Sequence, residues 1–320
     1  MKKVLFTENG FSESDIQLLS EKGIEIVPAE GDLKEKELIQ ALQGCSGYVI
    51  GGTDKATQKV IESSNLEIIV FYGTGYENFV DVKASSNKGI TVAYTPKANA
   101  YTVAEHTAAL ILDAVKGITN LNNSVKQGKW SRRQTWNLSG KTLGILGMGT
   151  IGSHVATIMS KGFGMKVIYV SRTEKSEIEQ NLGAKKVAIN ELMSQSDVVS
   201  IHIPSNKENI SLISKNEIGL MKPTSILINS ARAELVDPIA LSEALKQNKI
   251  TSAAFDVYYE EPAPSLDQDK YKLLSLPDNK FIITPHTAYS SKEAIENMNQ
   301  MVKENLMAFF SGKKPPYCVQ

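Results

Sequence analysis

A guanidinium, a carboxylate and an imidazole stand in three segments that each follow an apolar, β-branched run. The segments are Asn229-Ser230-Ala231-Arg232, Asp256-Val257-Tyr258-Tyr259-Glu260-Glu261-Pro262 and Thr284-Pro285-His286-Thr287-Ala288. Such a trio suits reduction of a carbonyl: a cation meets a carboxylate and polarises the carbonyl, a proton donor completes the new hydroxyl, and a third group keeps the donor oriented. Taken singly, each has a plainer explanation. Arg232 could be a surface loop residue, Glu261 a solvated acid in a Pro-rich loop and His286 a strand-end histidine. It is their order, together with the loop described next, that argues for shared chemistry. His106 and His154 fall in helix-like stretches and are assigned no role, and Cys45 is expected in the core.

That loop is Gly144-Ile145-Leu146-Gly147-Met148-Gly149-Thr150-Ile151-Gly152, which follows a strand-like run and opens a helix-like one. Gly147 allows a tight turn, Gly149 lets the backbone approach a pyrophosphate, and Gly152 lets helix and strand pack closely. The helix amino terminus at Thr150 and Ile151 offers free N–H groups to the phosphates. A second strand ends at Val170-Ser171-Arg172-Thr173, with no acid before Glu174. An NAD site usually carries a carboxylate there for the adenosine ribose. Its absence removes repulsion of a 2′-phosphate, and Arg172, flanked by Ser171 and Thr173, could bind one. The reading favours NADP over NAD; the alternative is an exposed loop arginine without a ligand.

The elements that must position these groups alternate along the chain. Strands are expected near Val4–Thr7, Ile24–Val27, Tyr48–Gly51, Glu67–Tyr72 and Ile90–Ala93, with amphipathic stretches at Ser12–Lys22 and Leu33–Leu42 between them. A second series is expected near Thr142–Leu146, Lys166–Ser171, Lys186–Ile189, Val198–Ile203, Ser225–Asn229, Ala253–Val257 and Phe281–Thr284. One long helix over Ala100–Lys126 separates the series, and another over Ser291–Ser311 closes the chain. Alternation of this kind means right-handed βαβ units, hence two doubly wound parallel-sheet α/β domains with a boundary near Thr95–Ala100. The chain has 320 residues, enough for both, and its 42% hydrophobic content supports ordinary cores. With 35 basic against 35 acidic residues, no cationic excess exists to hold a nucleic acid or an anionic membrane. Two cysteines, Cys45 and Cys318, supply neither a zinc cluster nor a disulfide framework, so no metal is expected. The opening Met1-Lys2-Lys3 and the short apolar run after it do not make a signal peptide, and no run is long enough to span a membrane; a cytoplasmic protein is expected.

In these motifs, and in Gly73-Thr74-Gly75-Tyr76-Glu77-Asn78, Val103-Ala104-Glu105-His106, His202-Ile203-Pro204 and Met221-Lys222-Pro223, the chain resembles the D-isomer-specific 2-hydroxyacid dehydrogenases over essentially its whole length. That family includes glyoxylate/hydroxypyruvate reductases. The resemblance implies a Rossmann dinucleotide-binding domain over 100–287 and a flavodoxin-like substrate domain over 1–99 plus 288–320, with a cleft between them. It implies that Arg232 binds the substrate carboxylate and carbonyl, and that His286 is the general acid/base, paired with Glu261. A neighbouring carboxylate stabilises imidazolium, so His286 can enter a reduction protonated, and the planar fork of Arg232 can meet a carboxylate bidentately. By the same resemblance, Gly73, Thr74 and Gly75 offer N–H groups to that carboxylate. Asp256 contacts the nicotinamide, His202 and Pro204 line the cofactor pocket with Ser230 and Ala231, and Val49, Tyr76, Tyr101 and Tyr289 are candidate specificity residues. A homodimer formed through the cofactor domain is expected. Two positions depart from the family pattern: Ala233 where glycine is common, and the Asn206-Lys207-Glu208-Asn209 turn. The expected activity is hydride transfer between NAD(P)H and a small 2-oxo acid. The alternatives are a dinucleotide-sensing, corepressor-like scaffold and a formate or phosphite dehydrogenase relative.

Overall fold

The computed structural model describes residues 1–8, 10–130 and 132–319. Two compact units divide it, Met1–Asn99 with Ser290–Gln320, and Ala100–Tyr289.

In the first unit, β1 (Lys2–Thr7), β2 (Ile24–Ala29), β3 (Gly47–Ile50), β4 (Ile68–Phe71) and β5 (Thr91–Tyr94) form a sheet in the order β2-β1-β3-β4-β5. Every pair is parallel, and the order is that of flavodoxin-like sheets. β3 and β4 are buried along their whole length, as continuous apolar runs covered on both faces must be. The closing helix, Lys292–Phe310, starts at Ser291, whose hydroxyl accepts from the Ala294 amide at 3.1 Å. Its Val302 and Leu306 lie fully buried against Val4, Phe6, Ile68 and Val70. Asn299 fastens it, accepting from the Tyr72 hydroxyl at 2.8 Å and donating to the Gly10 carbonyl at 2.6 Å.

In the second unit the strands are β6 (Thr142–Leu146), β7 (Lys166–Val170), β8 (Lys185–Lys186), β9 (Val198–Ile201), β10 (Ile226–Asn229), β11 (Ser252–Phe255) and β12 (Phe281–Ile283). Their order, β12-β11-β10-β9-β6-β7-β8, is parallel throughout. The chain reverses direction across the sheet between β6 and β9, and in sheets of this type ligands bind beyond the carboxyl ends at that reversal. β8 is shorter than the strand expected over Lys186–Ile189, because Ile189 already begins the Ile189–Gln195 helix.

The long helix expected over Ala100–Lys126 is two helices, Ala100–Lys116 and Ile118–Lys126. Gly117 separates them at φ 67, a left-handed conformation open to glycine, and a Cβ there would meet the Arg133 guanidinium at 2.6 Å. Asp113 then accepts from the Thr119 amide at 2.8 Å, satisfying the start of the second helix. On the first helix Val103, Ala104, Leu110, Ile111 and Val115 are buried; at about 1.5–3 kcal/mol for each large apolar side chain, that face holds it on the sheet. Among the described residues no helix is long and apolar enough to cross a membrane, and no three metal-ligating side chains gather.

Candidate active site

The glycine loop leaves β6 as its sequence requires. Gly147 sits at φ 104, and a Cβ on it would press to 2.5 Å from the His202 carbonyl of the neighbouring strand end. A Cβ on Gly152 would reach 2.2 Å from the Gly147 carbonyl, so the Thr150–Thr157 helix packs here only through hydrogen. Gly149 differs: a Cβ there meets no atom within 4 Å, so the space over the turn is open. Gly149 and Thr150 are exposed, Ile151 packs inward, and the first-turn N–H groups of this helix have no intrahelical acceptor. An open cradle ringed by unsatisfied N–H groups fits a dinucleotide pyrophosphate. At the end of β7, Arg172 and Thr173 are exposed beside the half-buried Ser171. At the end of β9, the His202 amide donates to the Leu146 carbonyl at 2.7 Å, and its Nε2 lies 2.8 Å from the Ser200 hydroxyl. Burial pushes the His202 pKa from 6.5 down to about 3, so this ring is neutral. The turn that follows is held by its asparagines: Asn209 donates to the Pro204 carbonyl at 2.8 Å and accepts from the Asn206 amide at 2.7 Å.

Arg232 is carried by a loop clamped at the end of β10. The fully buried Asn229 accepts from the Ala231 amide at 3.0 Å and donates to the Arg232 carbonyl at 2.9 Å. Sequence reasoning passed over this use of Asn229 to hold the loop, although it opens the motif and a polar side chain closing a buried strand was a readable signal. The Arg232 guanidinium donates to the Ala231 carbonyl at 2.7 Å. The hydroxyls of Ser230 and Thr107 lie 2.7 Å apart. Ala233 is 2% exposed and keeps an ordinary negative φ, so its methyl is accommodated without strain where glycine is common in the family.

His286 and Glu261 are brought together. His286 Nδ1 lies 2.7 Å from Glu261 Oε2, while Glu261 Oε1 accepts from the Tyr258 amide at 2.9 Å. Burial alone would raise the Glu261 pKa, but the hydrogen bond and charge of His286, the Tyr258 N–H and the Arg232 guanidinium outweigh it and hold the carboxyl below its ordinary range. Glu261 is therefore the acceptor and Nδ1 carries a proton, which leaves Nε2 to exchange one. The imidazole is 31% exposed and so within reach of a ligand.

Asp256 is 1% exposed, and its carboxylate gathers the loop that bears His286. Oδ1 accepts from the Thr284 hydroxyl at 2.5 Å and the Thr287 amide at 3.0 Å, and Oδ2 from the Ala288 amide at 2.8 Å. In the first unit, the Gly73 amide is taken up by the Phe71 carbonyl at 3.0 Å, and the Gly73 carbonyl accepts from Thr95. Thr74 and Gly75 hold the amides left in that turn. Val49 is fully buried among Val4, Phe6, Ile68 and Val70, because it sits on a strand with apolar cover on both faces. Tyr76 packs its ring on Tyr94, and Tyr101 on His154.

A family model described as D-isomer specific 2-hydroxyacid dehydrogenase, NAD binding domain, matches residues 108–288, more than half the chain. Glyoxylate reductase from Pyrococcus furiosus is 35% identical over 330 residues, covering 100% of this chain and 96% of its own. Among solved structures, D-lactate dehydrogenase from Aquifex aeolicus complexed with NAD and lactic acid matches with a TM-score of 0.82 at 29% identity, over 97% of this chain and 96% of that one. An acyclic imino acid reductase in complex with NADPH and D-Arg matches with a TM-score of 0.85 at 28% identity, over 100% of both. With the open glycine cradle and the histidine–glutamate pair, these similarities define an oxidoreductase that uses a nicotinamide dinucleotide. The chain belongs to the D-isomer specific 2-hydroxyacid dehydrogenase family, and its reaction class is the interconversion of 2-oxo and 2-hydroxy acids. The scaffold reading and the formate or phosphite dehydrogenase reading are not favoured beside such relatives.

Proposed function

We propose that the protein reduces a small 2-oxo acid to its 2-hydroxy acid with NADPH, with glyoxylate and hydroxypyruvate as the first substrates. The observation that carries this reading is the 2.7 Å contact between His286 Nδ1 and an ionised Glu261. Glu261 stabilises the imidazolium, and His286 donates its Nε2 proton to the substrate carbonyl oxygen as negative charge develops there. His286 then rests neutral, its Nδ1 proton still donated to the Glu261 carboxylate, until solvent restores the proton on Nε2. Arg232 binds the substrate carboxylate and polarises the carbonyl. When bound, the reduced nicotinamide supplies the hydride. Gly147, Gly149, Thr150, Ile151 and Gly152 would hold the pyrophosphate, and neutral His202, Pro204, Ser230, Ala231 and Asp256 would shape the rest of the cofactor pocket. On this reading Ala100–Tyr289 is the dinucleotide-binding domain and the other unit receives the substrate.

The preference for NADPH rests on the end of β7, where Ser171, Arg172 and Thr173 stand in place of a carboxylate. A homodimer fits Ile118, Val125 and Trp130, apolar side chains 59%, 47% and 84% exposed near one another in sequence. A cytoplasmic location fits the free thiols of Cys45 and Cys318. Loss of NADPH and NADH absorbance should be followed with glyoxylate, hydroxypyruvate, pyruvate and 2-oxobutyrate. Faster turnover with NADPH and the smaller acids is expected; NADH preference would remove the Arg172 argument, and no turnover of any 2-oxo acid would remove the substrate class.

A further inference from the structure

We infer that His106 is a positioning residue that sets the place of His286 from the Ala100–Lys116 helix; the inference rests on His286 being the acid/base. His286 lies at φ 49, a left-handed backbone that a non-glycine residue holds only when its surroundings impose it. Asp256 supplies much of that hold: its carbonyl accepts from the His286 amide at 2.8 Å, an amide shared with the Thr284 carbonyl at 3.0 Å, and its carboxylate takes the Thr284 hydroxyl and the Thr287 and Ala288 amides. His106 Nε2 reaches this cluster from the helix, 3.1 Å from Thr284 Oγ1 and 3.4 Å from Asp256 Oδ1.

The proton count gives direction to that contact. Thr284 has one hydroxyl proton, and its 2.5 Å contact directs it to Asp256. The Thr284 oxygen can then only accept from His106, so Nε2 carries a hydrogen and donates to Thr284 and Asp256 together. The next residue acts on the other loop. Thr107 donates to the Val103 carbonyl at 2.7 Å, so its oxygen accepts from Ser230, two residues before Arg232. Adjacent side chains of one helix thus hold the loops that carry the imidazole and the guanidinium.

His106→Leu removes the donor, and His106→Gln returns an N–H to a similar position. With NADPH and the best 2-oxo acid, His106→Leu is expected to lower kcat about 10- to 100-fold, the cost of misplacing a reacting group by a fraction of an ångström. The KM for the oxo acid and the Kd for NADPH, from its fluorescence, should stay within about threefold, and His106→Gln should recover most of kcat. Thr284→Val leaves His106 intact but removes both its acceptor and the hydroxyl bond to Asp256, and should give at least the same loss of kcat, which keeps the question open to test if His106→Leu does not fold. A kcat within about twofold of the parent in His106→Leu or Thr284→Val overturns the inference, as does a His106→Gln enzyme no better than His106→Leu. His286→Ala is the control: if it stays active the acid/base reading has failed, whereas an inactive His286→Ala beside an unimpaired His106→Leu defeats the positioning role alone.

Discussion

Where β1, β2 and β3 end, the chain places the carboxylates Glu8, Asp32 and Asp54; where β6, β7, β10 and β12 end, it places a glycine loop, Arg172, Arg232 and His286. Both sheets are parallel and doubly wound, so topology offers each the same kind of site. Glu8 is raised by burial and then by the charges of Asp32 and Asp54, and Asp54 by burial against its hydrogen bonds from Thr7, Leu33 and Tyr48. Such a group repels phosphate. The ends of the second sheet instead offer unsatisfied N–H groups, a guanidinium and an imidazole on an ionised partner. An architecture admits a ligand, and the side chains at its strand ends choose which.

The difference breaks most visibly at the imidazole. His286→Ala should lower kcat about a thousandfold, near 4 kcal/mol of barrier, with NADPH affinity largely kept. Near-normal turnover would deny the second sheet its acid/base chemistry. Glu261→Gln, which keeps the shape and removes the charge, should cost about 10- to 100-fold in kcat. Equal rates for parent and variant across neutral pH would mean that the ionised partner does nothing for the imidazole.

Arg172→Ser is the next largest. It should lower kcat/KM for NADPH about tenfold and leave NADH nearly unchanged; equal losses with both cofactors would count against 2′-phosphate binding.

The two sheets should also answer acid in opposite senses. His202 titrates near 3 when folded and at 6.5 otherwise, so its contribution to stability is complete above pH 6.5 and is lost as pH falls toward 3, by up to about 1.4 kcal/mol per unit. Urea unfolding of His202→Gln should show a shallower acid slope than the parent. Asp54 is shifted upward on folding, so its favourable contribution exists below the unfolded value and is lost as pH rises through the folded one. Asp54→Asn should remove that loss and raise stability at neutral pH by roughly 1 kcal/mol or less. A destabilised Asp54→Asn at neutral pH would mean that its bonds to Leu33 and Tyr48 outweigh the cost of burying its charge.

Local order in the chain was enough for the alternating elements, the glycine loop and several helix starts. Gly147 and Gly152 act within one strand–turn–helix, and Ser12 and Ser291 cap helices that begin at the next residue. The break at Gly117 was equally local, a glycine after Lys116 inside an apolar-periodic stretch, and the periodicity on either side hid it. Tertiary structure alone decided the rest. Helical spacing puts His106 on a helix but cannot say that its ring meets Thr284, 178 residues onward, or that Thr107 meets Ser230. Nor does a strand pattern reveal that Val49 belongs to the core, since both faces of its sheet are covered. A side chain's type sets what it can donate or accept, while the partner it finds depends on which distant strand end the fold brings within about 3 Å.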